Sequence, residues 1–368
     1  MTEPFAYADD LGPELVVQIH RPAAGLRAVL VVDNTACGPS MGGIRMAIDA
    51  DAQEAFRLAR AMTLKNAAAG LAHGGGKAVI IADPSQPPAR KEALIRCFAQ
   101  AIRGIDAYIP GPDMGTDETC MAWIRDEIGR AAGLPAALGG IPLDEIGATG
   151  IGLAAAIEVA APRIGLDLAG ARVAVQGFGA VGRNAARELA ARGAILVAAS
   201  DNAGMVADPA GLDVAALIAL KLAGGALRDH PTGRKAGRDA IIAEPCDIWI
   251  PAARPDVIRA DNVGTMQTRL VAQGANIPCT PEAEAALHAR GVLVLPDFIA
   301  NAGGVICAAV EYHGGSKADA LATITARIRD NTTAVLDEAA RDGSTPRSAA
   351  VALAGRRVRE AMALRRFR

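Results

Sequence analysis

The sequence predicts an α/β chain of two lobes, the second built on a doubly wound parallel sheet. Three observations predict it. A length of 368 residues suits two domains. Short Val-, Leu- and Ile-rich runs alternate with stretches of helical periodicity, the pattern of strands covered by helices. Between Arg172 and Asp201 a strand, a glycine-rich turn, a helix and a second strand follow in order.

In the first lobe, residues 15–19 and 26–32 read as strands, the second ending at the turn pair Asp33-Asn34. Residues 38–45 (Gly-Pro-Ser-Met-Gly-Gly-Ile-Arg) read as a loop. Asp51 with Glu54 three residues later has the form of a capping box. Ala55, Leu58, Ala59 and Met62 then recur at helical spacing, so a helix delivers Lys65. Gly74-Gly75-Gly76 reads as a turn where main chain can approach a ligand closely, and it leads into Lys77. It is not a phosphate-binding P-loop, because Leu71 stands where that motif needs its first glycine and Ala78 where it needs Ser or Thr. Residues 78–82 form a buried strand and 90–103 a helix. A strand end at Tyr108 runs into a Pro/Gly loop, through Thr116, that projects Asp113.

The Gly-, Ala- and Pro-rich stretch 131–142 marks the boundary. One domain is expected over 1–140, with the C-terminal helices of 335–368 packing back on it, and a second over 141–334. In that second domain 148–161 is helical, the Val-Ala-Val run 173–175 and 194–200 are strands around the helix 184–192, and further strands lie at 248–251, 270–273 and 292–295. Residues 319–341 and 348–364 are helical.

Composition narrows the function. Hydrophobic residues make up 51%, charged residues 21%, and the formal net charge is -2, so no basic surface argues for nucleic acid. Aromatics at 3% leave little for base stacking. No apolar run reaches membrane-span length without interruption. The six cysteines include no CxxC pair and histidines number five, so neither a metal site nor a disulfide framework is expected. Met1–Asp10 is acidic and lacks the apolar segment of a signal peptide, so a cytoplasmic location is expected.

The glycines of the turn carry the first functional reading. Gly177, Gly179 and Gly182, with Phe178, Ala180 and Val181 between them, follow a Val-Ala-Val strand and open a helix. A lone GxGxxG is weak, but here Asp201 also closes the next strand at the expected distance, the full Rossmann dinucleotide pattern. The glycines let backbone amides and the helix N-terminus meet a pyrophosphate. Asp201 suits a ribose 2′-hydroxyl and repels a 2′-phosphate, so NAD is expected over NADP.

With these residues in view, the chain resembles the Glu/Leu/Phe/Val dehydrogenases, NAD(P)-dependent amino-acid dehydrogenases. The matching stretches are Gly42-Gly-Ile-Arg45, Met62–Lys77, Pro112–Thr116, Ala148-Thr-Gly150, Val175–Gly182, Gly274-Ala-Asn276 and Asn301–Val305, in family order over most of the chain. The resemblance implies two lobes, a homo-oligomer, and reversible oxidative deamination of an L-amino acid to a 2-oxo acid, ammonium and NADH. It implies that Lys65 holds the substrate α-carboxylate, that Lys77 is the catalytic lysine and that Asp113 is its acidic partner. It places Thr149, Asn276 and Asn301 at the cofactor, and Asn276 beside the substrate as well. The chemistry agrees: a lysine can act as base when burial and a second cation such as Lys65 lower its pKa.

The substrate side chain is read from the pocket. The family's glutamate enzymes usually carry a lysine just before the Gly-Gly-x-Arg loop, where this chain has Met41 before Gly42. They also carry a serine three residues after the Val of Asn-Ala-Gly-Gly-Val, where this chain has Ala308 after Val305. A side-chain carboxylate left without a partner there costs roughly several kcal/mol. Gly111 adds room. Leucine, valine or phenylalanine is therefore the expected substrate type. The alternatives are glutamate held by a non-standard anchor, for which Arg45 is the candidate although it reads better as a structural arginine tying down its own loop, and a specialised biosynthetic amino acid. A catalytically dead NAD-binding regulator belongs to another class, and the presence of Lys65, Lys77 and Asp113 argues against it. Cys307 reads as a small buried hydrophobe, and His73 carries no assigned role.

Overall fold

The computed structural model describes residues 5–365. The first four residues of the acidic N-terminal stretch and the last three of the 335–368 segment lie outside the described residues. The chain forms two compact units. The first contains 1–142, 305–320 and 351–368, and the second 143–304 and 321–350. Compared with the expected division, 305–320 joins the first unit and 335–350 the second.

In the first unit, β1 (Leu15–Arg21), β2 (Leu26–Asn34), β3 (Ser40–Ala47), α1 (Ala52–Ala68), β4 (Gly74–Ile81), α2 (Pro88–Ala101), β5 (Tyr108–Pro112) and α3 (Glu118–Ile128) follow in order. The five strands align as β1-β2-β4-β3-β5. β1 and β2 pair antiparallel, as do β2 and β4, while β3 runs parallel to both β4 and β5. One face buries Leu30, Ile44, Ile80, Phe98 and Tyr108 under α2 and α3. The other packs Val29, Val31 and Val79 against Ala55 and Ala59 of α1. Side chains alternate along a strand, so Lys77 shares the α1 face with Val79.

Two expectations for this unit are corrected. Residues 40–47 are not a loop but β3, held between β4 and β5. Gly74–Gly76 is not a turn but the start of the central strand β4, and none of the three has positive φ. These glycines serve close packing. A Cβ on Gly75 would lie 2.0 Å from the backbone nitrogen of Thr63 in α1, and one on Gly42 would lie 1.7 Å from the carbonyl oxygen of Gly76. Helix α1 and strand β3 approach β4 so closely that no side chain fits. The Asp51 cap forms as expected, its Oδ1 accepting the Glu54 N–H at 2.7 Å, but the Glu54 side chain turns to Arg45 instead of closing the box.

The second unit begins with α4 (Leu143–Ile146) and α5 (Ala148–Ala160), then β6 (Arg172–Gln176), α6 (Ala180–Ala190), β7 (Ile195–Asp201), β8 (Gly204–Ala207), α7 (Val214–Leu222) and β9 (Arg234–Ala236). It continues through β10 (Ile248–Pro251), β11 (Leu270–Ala272), α8 (Pro281–Ala289), β12 (Leu293–Leu295) and α9 (Asp297–Ala300). The strand order is β12-β11-β10-β6-β7-β8-β9. The first five are parallel, and β8 and β9 add an antiparallel edge that periodicity did not reveal. The chain passes between the units within the last three helices, α10 (Gly303–Tyr312), α11 (Lys317–Asp342) and α12 (Pro346–Ala363).

Candidate active site

The register of β3, β4 and β5 builds a charged cluster in the first unit. Lys77 emerges from β4 one residue before the Ile44–Ala78 pair, and Asp113 follows the last residue of β5, Pro112. β3 separates their strands, so Asp113 reaches Lys77 by crossing it. Gly43 makes the crossing possible, because a Cβ there would stand 2.7 Å from Asp113 Cβ. Lys77 Nζ donates to Asp113 Oδ2. Both groups are shielded, with side-chain exposures of 8% and 18%.

Burial pulls the Lys77 pKa down to about 7, and the cations Arg45 and Lys65 add to that, while Glu54 acts the other way. The Asp113 carboxylate in contact also favours the charged lysine. Helix α1 carries Glu54 on its first turn and Lys65 on its last. One helix thus sets two of the charges around Lys77.

Beside this cluster lies an apolar patch. Met41 is 3% exposed and packs with Ile109 and Ala132, and Ala308 and Tyr312 of α10 lie against them. Val305 is half-buried on the same helix. Gly111 is buried yet faces room, since a Cβ there would meet nothing closer than 3.9 Å. Glu311, also on α10, accepts N–H bonds from Gly133, Leu134 and Ile141 at 2.7–2.9 Å and so pins the 131–142 stretch. Cys307 is buried, which pushes its thiol up to about 12. His73 is buried too, its Nδ1 against the Pro39 carbonyl and its Nε2 3.0 Å from His313 Nε2.

The second unit carries the glycine turn. Gly177 has φ +91, and Gly182 would place a Cβ 1.9 Å from the Gly177 carbonyl oxygen. Gly179 caps α6 with no side chain over the helix N-terminus and open space where its Cβ would be. This arrangement fits a pyrophosphate, which needs bare N–H groups and close main-chain approach. Gly177 N donates to Ser200 O at 2.9 Å, which sets Asp201 beside the turn.

Asp201 is not a bare carboxylate. Its Oδ2 accepts from Lys221 Nζ at 2.8 Å and Leu227 N at 3.0 Å, and its Oδ1 from Ala203 N at 2.9 Å. Burial works to raise its pKa, but these donors outweigh it and hold the group below the ordinary carboxylate value. The repulsion of a 2′-phosphate expected from Asp201 assumed an unpaired charge, and Lys221 supplies the counter-charge.

Thr149 lies in the first turn of α5, whose Gly150 packs on Asn184 and Ala185 of α6. Asn301 Nδ2 donates to Asn276 Oδ1 at 2.9 Å. The structure therefore gathers Lys65, Lys77, Asp113, Met41, Gly42, Gly111, Val305 and Ala308 in one unit. It gathers Gly177–Gly182, Asp201, Thr149, Asn276 and Asn301 in the other. Lys221 and the pairing of Glu54 with Arg45 were not visible in the sequence, since neither spacing follows a local pattern. Among the described residues, no group of three or more His, Cys, Asp or Glu stands close enough to hold a metal ion, and no helix is long and apolar enough to cross a membrane.

Residues 13–130 match the family described as Glu/Leu/Phe/Val dehydrogenase, dimerisation domain, and 139–366 match Glutamate/Leucine/Phenylalanine/Valine dehydrogenase. A glutamate dehydrogenase of Aeropyrum pernix is 37% identical over 90% of this chain and 85% of its own. An NADP(+)-dependent glutamate dehydrogenase of Pyrobaculum calidifontis is 40% identical over 77% and 71%. Among solved structures, the hetero-hexameric glutamate dehydrogenase of Thermus thermophilus in a Leu-bound form has a TM-score of 0.84 and 32% identity, covering 97% of this chain and 91% of its own. The L-tryptophan dehydrogenase of Nostoc punctiforme has a TM-score of 0.76 and 26% identity, covering 96% and 98%. Both units are matched and the relatives align over most of their length, so the chain belongs to the Glu/Leu/Phe/Val dehydrogenase family of nicotinamide-dependent amino-acid dehydrogenases.

Proposed function

We propose that the chain catalyses reversible oxidative deamination of an L-amino acid, with Lys77 as the base and Asp113 as its proton partner. The contact between a buried lysine and a shielded carboxylate, across a glycine strand, carries this reading. A nicotinamide cofactor, when bound, takes the hydride from the substrate α-carbon. Lys77, drawn towards about pH 7 by burial, is neutral enough to take a proton from the attacking water. Asp113 Oδ2 receives and returns protons between Lys77 and the departing nitrogen. Lys65, on the same face, holds the α-carboxylate. The base form of Lys77 gains population as pH rises, so deamination speeds up with pH through the pKa of this group.

Two substrate readings stand, and different observations favour them. The named relatives weigh for glutamate, and more strongly than for leucine, valine or phenylalanine. That reading needs a side-chain carboxylate anchor other than position 41 or 308, and Arg45 is already engaged by Glu54 and Asp113. The patch of Met41, Ile109, Ala132, Ala308 and Tyr312 weighs for an apolar side chain. NADH oxidation with ammonium and a panel of 2-oxoglutarate, 2-oxoisocaproate, 2-oxoisovalerate, phenylpyruvate and indolepyruvate separates them. Preference for 2-oxoglutarate would sink the apolar reading, and failure on every acid would sink the function.

For the cofactor, Asp201 supports NAD, since its carboxylate can accept from a ribose hydroxyl. Its pairing with Lys221 weakens the case against NADP, and the Pyrobaculum calidifontis and Saccharolobus shibatae relatives are named for NADP. We therefore read NAD as preferred by a modest margin. The match to a dimerisation domain supports an oligomer.

A further inference from the structure

The Lys77–Asp113 contact is the inner end of a longer chain of charges. The two oxygens of Asp113 have different partners. Oδ1 accepts the Met114 N–H at 2.6 Å and lies 3.6 Å from Arg45 Nη2, while Oδ2 takes Lys77. Arg45 donates through Nη1 to Glu54 Oε1. Its Nε is buried and makes no hydrogen bond. The guanidinium is thus held by Glu54 in a pose where a single nitrogen faces Asp113. A guanidinium favours taking both oxygens of one carboxylate. Released from Glu54, Arg45 would turn that fork on Asp113 and compete with Lys77 for Oδ2.

We propose that Glu54 is a positioning residue for proton transfer: by holding Arg45 to one side, it reserves Asp113 Oδ2 for Lys77. The proposal rests on the reading of Lys77 and Asp113 as the proton-transfer pair. The charges around Lys77 agree with the geometry, since Arg45 lowers its pKa and Glu54 raises it. Glu54 is suited to the task because its backbone is fixed separately by the Asp51 cap. Its side chain can change without uncapping α1.

Glu54→Gln keeps the size and the cap but removes the charge. The test is the pH dependence of Lys77 modification by an amine-reactive aryl fluoride in the cofactor-free protein, mapped by peptide mass spectrometry, beside the pH profile of kcat/KM. Glu54→Gln should move both curves to lower pH and cut kcat by roughly tenfold, less than the roughly 100-fold or more lost with a general acid or base itself. Glu54→Asp should restore part of the profile. An unmoved Lys77 titration in Glu54→Gln would overturn the proposal, as would a fall in Tm with an unchanged profile. Failure of the underlying function looks different: Lys77 would still shift in the modification assay, but Lys77→Ala would keep its turnover.

Discussion

The glycine turn of the second unit is made by six consecutive residues, Gly177–Gly182, and is defined by backbone shape. The charged cluster of the first unit draws on β3, α1, β4 and the residue after β5, and works through side chains. The first kind of site lies within one short stretch of sequence between β6 and α6. The second depends on register, because one step of slip in β4 would turn Lys77 to the α2–α3 face. Glycines appear in both, for partly different reasons. In the turn Gly177 gives a positive φ and Gly179 an open approach, while Gly182 closes the turn on the Gly177 carbonyl. In β3 and β4 they let protein pack on protein, and Gly43 lets Asp113 pass.

Three substitutions probe that contrast. Gly182→Val has the largest expected effect, since its Cβ would lie 1.9 Å from the Gly177 carbonyl. NADH binding, followed by fluorescence, should weaken by about 100-fold or more, on the order of 3 kcal/mol. Retained binding would show that the turn does not hold the cofactor. Gly43→Ala should do the reverse, leaving NADH affinity intact while kcat drops by roughly 10- to 100-fold as Asp113 is pushed from Lys77. A loss of NADH binding in that variant would mean the two sites are not separable. Lys221→Ala has the smallest effect: NADPH affinity should fall about tenfold relative to NADH, on the order of 1.4 kcal/mol, as the counter-charge to Asp201 goes. Equal weakening of both cofactors would remove Lys221 from specificity.

The same contrast explains what was legible in the sequence. The β6–α6–β7 unit was readable because its glycines, its helix and Asp201 sit at fixed spacing. Helix α1 was readable from Asp51 and the apolar spacing, which placed Lys65 correctly on its last turn. The strand character of 40–47 and 74–76 was not readable. Glycine is a poor strand former, and only the approach of α1 and β3 to β4 explains it here. The pairing of Asp201 with Lys221, twenty residues later on α7, was invisible because no local spacing pattern links them. Lys221 adds a counter-charge that the reading of Asp201 from sequence did not include. Glu54 looked like half of a capping box, and only the fold shows that its side chain serves Arg45.

In the proposed reaction Lys77, buried beside Asp113, performs the proton transfer of amino-acid deamination. The most direct measurement is kcat of Lys77→Ala against the unaltered protein on the best substrate of the panel, with NADH affinity measured alongside. The kcat should fall by about 100-fold or more while NADH affinity stays within twofold, consistent with loss of a general base. Near-normal kcat in Lys77→Ala would contradict it.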